Sequence, residues 1–243
     1  MDGKKVALVT GANKGIGFEI SRQLGKHGFT VVLAARDEKK VAEAAARLQG
    51  EGLDVHGVVL DVTNPSSAEA AARSLEERFG RLDVLVNNAG VGYEFATGTK
   101  PSQLTMETLR ATYDTNFFGA FAVTQHMLPL LRKSAPARII NQSSTLGSLG
   151  TLSDPESPFY GVNLLAYNSS KTALNGLTLA FAKELAGDRV SVNSVCPGWV
   201  KTDLGSDAAP RTIEQGAAIA VKLATMADPP TGKYLDDRGE IRW

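Results

Sequence analysis

The segment TGANKGIG, Thr10 to Gly17, decides the fold of this chain. It follows Val6–Thr10, a short apolar run typical of a strand buried on both faces of a parallel sheet, and it precedes helical spacing over 15–27. Its glycines allow a tight turn and a close approach of the backbone to a phosphate at a helix N-terminus. The spacing differs from the commoner dinucleotide fingerprint, and a plain strand-to-helix turn would look similar. Because of its place after the first strand, we predict a dinucleotide site.

Strands and helices alternate along the rest of the chain. Apolar and β-branched runs predict strands at 29–35, 55–60, 82–87, 138–142 and 190–195, and the Ala-rich segment 38–49 predicts a helix. This alternation predicts an α/β fold, a single doubly wound Rossmann-type domain over 1–243 with a mostly seven-stranded parallel sheet flanked by helices. The carboxyl ends of such strands share one edge, where ligands bind.

Composition excludes several classes of protein. The chain has 243 residues with 26 basic and 26 acidic side chains, so no overall positive field attracts nucleic acid or an anionic membrane. The single cysteine, Cys196, excludes an intramolecular disulfide framework, and His27, His56 and His126 have no metal-ligand spacing. No apolar run approaches the roughly 20 residues of a membrane helix, and no signal-peptide pattern is present. We therefore expect a cytoplasmic protein without a metal, nucleic-acid or membrane partner.

Tyr167-Asn168-Ser169-Ser170-Lys171 places a phenol and an ammonium one turn apart on a helix face. A phenol has a pKa of about 10, and a nearby cation favours its ionised form, so the pair could exchange protons near neutral pH. A surface helix carrying an extended lysine would show the same spacing by chance. With the glycine-rich turn upstream, the pair indicates catalysis.

In their order, these motifs resemble those of the short-chain dehydrogenase/reductases, and the pattern is most similar to that of carbonyl reductases. Further matches are Asp61-Val62 after the third strand, residues 87–90 after the fourth, Asn116 in a helix, Ser144 after the fifth strand and residues 197–202 after the sixth. The resemblance implies an oxidoreductase that reduces a ketone or aldehyde to an alcohol with NADPH. The alternative is an NAD-dependent alcohol dehydrogenase that works in the oxidative direction.

The resemblance also implies roles for single residues. Tyr167 would protonate the carbonyl oxygen and Ser144 would hold it, with Ser143 as a competing candidate. Lys171 would lower the pKa of Tyr167 and bind the nicotinamide ribose, and Asn116 would position a water that restores the proton. Asp61 would bind the adenine amine, and Val200 and Thr202 the carboxamide. The expected cofactor-binding residues are Gly11, Asn13, Lys14, Gly15, Ile16, Gly17, Arg36, Asp61, Val62, Asn88, Ala89, Gly90, Tyr167, Lys171, Val200 and Thr202.

The end of the second strand predicts the choice of cofactor. NAD-preferring members of the family usually have Asp where Ala35 stands, whereas here Arg36 follows and Lys14 can approach from the other side. Because the 2′-phosphate of NADP attracts cations, we predict NADP(H). A shift of one residue would make Asp37 a ribose ligand and reverse the preference. We instead expect Asp37 to cap the helix that begins at Glu38.

The substrate pocket is the least defined part of the sequence. Ser144 and Tyr167 lie farther apart than in compact family members, and the extra segment at 152–165 should form part of the substrate wall. Aromatic side chains near the cleft suggest an apolar or aromatic carbonyl compound, although each could instead pack beneath a loop; they are Tyr93, Phe95, Phe159, Tyr160 and Trp199.

Two other functions fit the sequence less well. A sugar-nucleotide epimerase would need a larger C-terminal domain, and a sensor without catalysis should lack Tyr167, Lys171 or Ser144. The apolar stripe over 174–185 could be core or a subunit interface. The insertion before Tyr167 lies where carbonyl reductases block subunit packing, so a monomer is slightly favoured over a homo-oligomer.

Overall fold

The computed structural model describes residues 3–243, arranged around one seven-stranded sheet. The strands are β1 (Val6–Thr10), β2 (Thr30–Ala35), β3 (Val55–Val59), β4 (Val84–Asn87), β5 (Ala137–Gln142), β6 (Val190–Val195) and β7 (Lys233–Leu235). Their order in the sheet is β3-β2-β1-β4-β5-β6-β7, and every pairing is parallel. The predicted doubly wound α/β fold is therefore confirmed. The order reverses between β1 and β4, which opens a ligand-binding crevice at their carboxyl ends.

Helices cover both faces of the sheet. They are α1 (Gly15–Lys26), α2 (Glu38–Gly50), α3 (Pro65–Phe79), α4 (Met106–Tyr113), α5 (Ala120–Arg132), α6 (Leu149–Leu152), α7 (Leu165–Glu184) and α8 (Ile213–Thr225). Within residues 3–243, no helix combines the length and apolar character needed to cross a membrane.

Two apolar clusters, one on each face, form the core. Consecutive residues of β1 alternate between them: Leu8 joins the cluster beneath α3, α5 and α7, whereas Ala7 and Val9 join the cluster beneath α1, α2 and α8. Because both faces are buried, the strands have continuous apolar runs instead of alternating polar residues.

The structure differs from the sequence expectations in three places. The sequence predicts no strand at β7, because three residues give no readable pattern. It also predicts no helix at α8, which begins with a capping box of Thr212 and Gln215. Asn116, expected inside a regular helix, lies in a π-helical turn at Asp114–Gly119.

Candidate active site

The glycine-rich turn has the backbone that a pyrophosphate requires. Gly11 and Gly15 have φ angles of 62° and 58°, a left-handed conformation that L side chains rarely adopt. The helix α1 then begins without a side-chain cap from Lys14 and without an acid in its first turn. Its first N–H groups are therefore suited to an anionic ligand.

Asn88 holds this turn from the neighbouring strand. Its Nδ2 donates to the carbonyl of Thr10 at 2.9 Å and to that of Gly11 at 3.2 Å. A Cβ on Gly17 would lie 2.4 Å from the same Nδ2, so only glycine fits there. The side chain of Asn88 thus fixes the turn, while its neighbours Ala89 and Gly90 continue along the cleft.

A cleft of about 900 Å³ runs along the carboxyl edge of the sheet. The predicted cofactor residues that line it are Gly11, Asn13, Lys14, Gly15, Ile16, Gly17, Arg36, Asp61, Val62, Asn88, Ala89, Gly90 and Thr202. Val200, Tyr167 and Lys171 are not among the lining residues; the Val200 side chain is buried, and a Cβ on Gly216 of α8 would lie 2.7 Å from it. Any contact of Val200 with a carboxamide would therefore fall to its backbone.

Charged residues lie at the outer end of the cleft. Arg36 is exposed directly after β2, and Asp37 caps α2 by accepting the Lys40 N–H at 3.0 Å, which confirms the expected cap. Lys14 is also exposed but forms an ion pair with Asp203, and this pair lowers the pKa of Asp203. The sequence analysis did not anticipate that Lys14 would have a carboxylate partner.

Asp61 lies in the cleft wall after β3. Its Oδ1 accepts hydrogen bonds from the backbone N–H of Thr63 at 3.0 Å and from the Thr63 hydroxyl at 2.7 Å. These bonds brace the loop that carries Asp61 and Val62. Contact of Asp61 with an adenine amine stays a prediction.

Tyr167 and Lys171 lie in the first turns of α7, where they are only 7% and 4% exposed. Lys171 Nζ is 5.8 Å from the centre of the Tyr167 ring and donates to the carbonyl of Gln142 at 2.8 Å. Burial raises the pKa of Tyr167 to about 12, although a hydrogen bond with Ser144 acts in the opposite direction. Burial also lowers the pKa of Lys171 to about 8. The expectation that Lys171 lowers the pKa of the phenol stays a prediction.

The two candidate serines have different surroundings. The hydroxyl of Ser143 is buried and lies beside Tyr234, not Tyr167, while its backbone N–H donates to the Val195 carbonyl at 2.8 Å. The Ser144 hydroxyl accepts the N–H of Leu146 at 3.2 Å and is hydrogen-bonded to Tyr167. This geometry supports Ser144 as the catalytic serine.

Asn116 lies in the π-helical turn between α4 and α5. Its Oδ1 accepts the Val91 N–H at 2.8 Å, and its Nδ2 donates to the Val91 carbonyl at 2.9 Å and to Ser170 Oγ at 3.0 Å. Ser170 Oγ in turn donates to the Tyr167 carbonyl at 2.8 Å. The side chain therefore ties the cleft wall to α7, and its predicted role with a water stays a prediction.

Comparison with known proteins identifies the family. The model of the short chain dehydrogenase family matches residues 5–213. The chain is a short-chain dehydrogenase. Among similar proteins, NADPH carbonyl reductase 1 of Mus musculus is 35% identical over 280 residues, covering 99% of each chain. The (+)-neomenthol dehydrogenase of Arabidopsis thaliana is 34% identical over 95% of each chain.

The fold of this short-chain dehydrogenase is similar to that of solved reductase structures. The NADPH-bound carbonyl reductase from chicken fatty liver has a TM-score of 0.88 and 30% identity, with 99% of each chain covered. Salutaridine reductase from Papaver somniferum has a TM-score of 0.82 and 31% identity, covering 96% of this chain and all of the other. The resemblance to carbonyl reductases is confirmed.

In this short-chain dehydrogenase, Tyr234 of β7 contacts the backbone of Ser144. Its hydroxyl donates to the Ser144 carbonyl, and its ring stacks on Trp243 with centroids 5.5 Å apart. The sequence analysis missed Tyr234, because an isolated aromatic residue in a three-residue strand carries no motif. Only the sheet order, which places β7 beside β6, brings it to Ser144.

Proposed function

We propose that this short-chain dehydrogenase reduces a ketone or aldehyde to an alcohol with hydride from NADPH. The observation that carries the proposal is the arrangement of three side chains: the Tyr167 phenol is buried, is hydrogen-bonded to Ser144, and has Lys171 Nζ 5.8 Å from its ring centre. A phenol, with an ordinary pKa of about 10, is protonated at neutral pH. It can therefore act as the general acid that a carbonyl oxygen needs while hydride reaches the carbon.

NADP(H) is the cofactor that the residues of the cleft fit. The backbone at Gly11 and Gly15 and the start of α1 suit a pyrophosphate, and Arg36 follows β2, whose last residue is Ala35 and not an acid. The carbonyl reductases of mouse and of chicken fatty liver are NADPH enzymes by name or by bound ligand. NADPH would supply the hydride, and the protein the orientation and the proton.

Each of the three catalytic residues would have a separate role in the proton transfer. Ser144 would donate a hydrogen bond to the carbonyl oxygen, and Tyr167 would transfer its proton to that oxygen. The Lys171 ammonium, 5.8 Å from the ring, would then stabilise the negative charge left on the phenol oxygen. Because Tyr167 and Lys171 are largely shielded from water, this stabilisation would be stronger than at the surface.

The substrate we propose is an apolar or aromatic carbonyl compound. Tyr93 lines the cleft, and the Phe95 ring packs edge-on against Tyr167 with centroids 4.8 Å apart. Phe159, Tyr160 and Trp199 are exposed on the surrounding loops. These rings would accept a flat apolar molecule beside the phenol.

A panel of aromatic ketones, aldehydes, diketones and quinones, assayed by loss of NADPH absorbance, tests the proposal. Turnover of at least one class with NADPH is the expected result. The name of the Arabidopsis relative, a neomenthol dehydrogenase, supports a second candidate, oxidation of a secondary alcohol. Faster oxidation of cyclic alcohols with NAD than reduction of any carbonyl with NADPH would replace the first proposal with the second.

We also propose a cytoplasmic monomer. The stripe of Leu174, Leu177, Phe181 and Leu185 is buried within one chain, so it needs no second subunit to cover it. An apolar groove lined by Phe121, Leu177 and Phe181 is the surface along α7 that a second chain would cover in an oligomer. Light scattering at micromolar concentration should give the mass of one chain, 25.7 kDa, and a dimer or tetramer would contradict this.

A further inference from the structure

Glu94 is a buried carboxylate that the proposed reaction does not use. It lies in a 3₁₀ turn at Tyr93–Ala96 and is only 1% exposed. Its Oε2 accepts the backbone N–H of Tyr167 at 2.9 Å, although 73 residues separate the two in sequence. Its Oε1 has no hydrogen-bond partner, and no cation in residues 3–243 forms an ion pair with it.

The catalytic helix α7 has no cap of its own. Leu164, at the cap position, offers no side-chain acceptor, and the first turn contains no acid. The N–H of Tyr167 belongs to that first turn, where backbone donors lack partners within the helix. A carboxylate at a helix N-terminus is also stabilised by the helix dipole. Glu94 therefore supplies, from another part of the chain, the cap that the sequence of α7 lacks.

The residues beside Glu94 extend this contact to the phenol and to the cleft. Phe95 packs on the Tyr167 ring with an interplanar angle of 72°. A Cβ on Gly92 would lie 2.5 Å from the Phe95 ring, so the turn is closely packed against it. Val91 is held at both backbone atoms by Asn116. The segment 91–95 thus connects the wall of the cofactor cleft to the backbone and the ring of Tyr167.

We propose that Glu94 is a positioning residue for Tyr167, an inference that rests on the proposed function. Its carboxylate fixes the first turn of α7, so that the phenol hydroxyl stays aligned with Ser144 and with the substrate carbonyl. Burial of a carboxylate that lacks a cation opposes folding, and an apolar side chain would fill this space at lower cost. What only an oxygen can provide here is the acceptor for the Tyr167 N–H.

The test compares two neutral replacements of similar length. Glu94→Gln keeps a side-chain oxygen that can accept the N–H, whereas Glu94→Met fills the space without an acceptor. We expect Glu94→Gln to retain most of kcat, and Glu94→Met to lose roughly 10- to 100-fold, the range for a reacting group displaced by about 1 Å. Glu107→Met is the control, because Glu107 is an exposed acid in the first turn of α4 and should leave kcat unchanged.

Two further readouts separate positioning from general support of the fold. In Glu94→Met, NADPH binding should stay near that of the unchanged protein, and the isotope effect on kcat with NADPH deuterated at the transferred position should increase. The Tyr167 amide should exchange hydrogen faster in Glu94→Met than in Glu94→Gln. Equal kcat in the two variants, or a loss that follows a matching loss of NADPH affinity and thermal stability, overturns the proposal.

The proposed function and this inference fail in different ways. If the unchanged protein reduces no carbonyl compound, the proposed function is wrong. The amide exchange of Tyr167 still tests the cap, because it needs no turnover. If carbonyl reduction is present and the two Glu94 variants are alike in kcat and in exchange, only the positioning role is wrong.

Discussion

The two ends of the cleft use lysine in opposite ways. At the outer end, the side chain of Lys14 is 68% exposed and pairs with Asp203 at the surface. At the inner end, Lys171 lies behind the cleft wall, where a Cβ on Gly90 would be 3.3 Å from its Nζ. It is 4% exposed, bonds a backbone carbonyl, and has its pKa lowered to about 8 by burial. An exposed cation can recognise a phosphate while it keeps its hydration, but salt and neighbouring acids weaken it. A buried cation acts strongly on a nearby phenol oxygen, at a cost to folding.

The protein should lose most of its activity when the hydroxyl oxygen of Tyr167, at the inner end of the cleft, is removed. We expect Tyr167→Phe to lower kcat by about 10²- to 10⁴-fold or more, because only the proton donor disappears. NADPH affinity and thermal stability should change little, since the ring still packs against Phe95. Single-turnover kinetics with NADPH measures the loss. Near-normal turnover by Tyr167→Phe would exclude Tyr167 as the acid and with it the proposed mechanism.

The buried charge of Lys171 should lower the stability of the folded protein near neutral pH. Its pKa falls from 10.5 to about 8 on folding, so the unfolded chain binds the additional proton between these pH values. Stability from this group is therefore lowest below about pH 8 and recovers as pH rises toward 10.5. The shift corresponds to about 3 kcal/mol of stability. A variant without Lys171 would gain less than this, because it also loses the hydrogen bond to the Gln142 carbonyl.

We accordingly expect Lys171→Met to raise Tm near pH 7 by a few degrees while abolishing most activity. The gain should shrink when Tm is measured at successive pH values between 8 and 10. Lys39→Met is the control, because Lys39 is exposed on α2 and carries no burial penalty. A gain that is constant over this pH range would mean that packing, and not charge, is responsible.

The outer end and the fold were easier to predict from sequence than the inner end. The glycine-rich turn and β1 are local patterns, and Tyr167 and Lys171 are related by helical spacing alone. The pKa of Tyr167 was not predictable, because it depends on what packs over the ring, including Phe95 from a distant loop. Glu94 was missed for the same reason: its contact with α7 joins residues 73 apart, and no periodic pattern marks it.

The smallest expected effect concerns Arg36 at the outer end. The unchanged protein should prefer NADPH to NADH by at least about tenfold in kcat/KM, which is about 1.4 kcal/mol of recognition. Arg36→Ala should remove most of this preference through KM for NADPH, because Arg36 is exposed in the cleft wall directly after β2. The control Lys39→Ala removes an exposed cation outside the cleft and should leave the preference unchanged. Lys14→Ala should reduce the preference for NADPH less than Arg36→Ala does, since Asp203 already neutralises part of the Lys14 charge. Asp203→Asn, which frees Lys14, should then increase the preference for NADPH and make it more sensitive to salt. Equal use of both cofactors by the unchanged protein, or an unaltered preference in Arg36→Ala, would mean that the 2′-phosphate is not recognised at this end of the cleft.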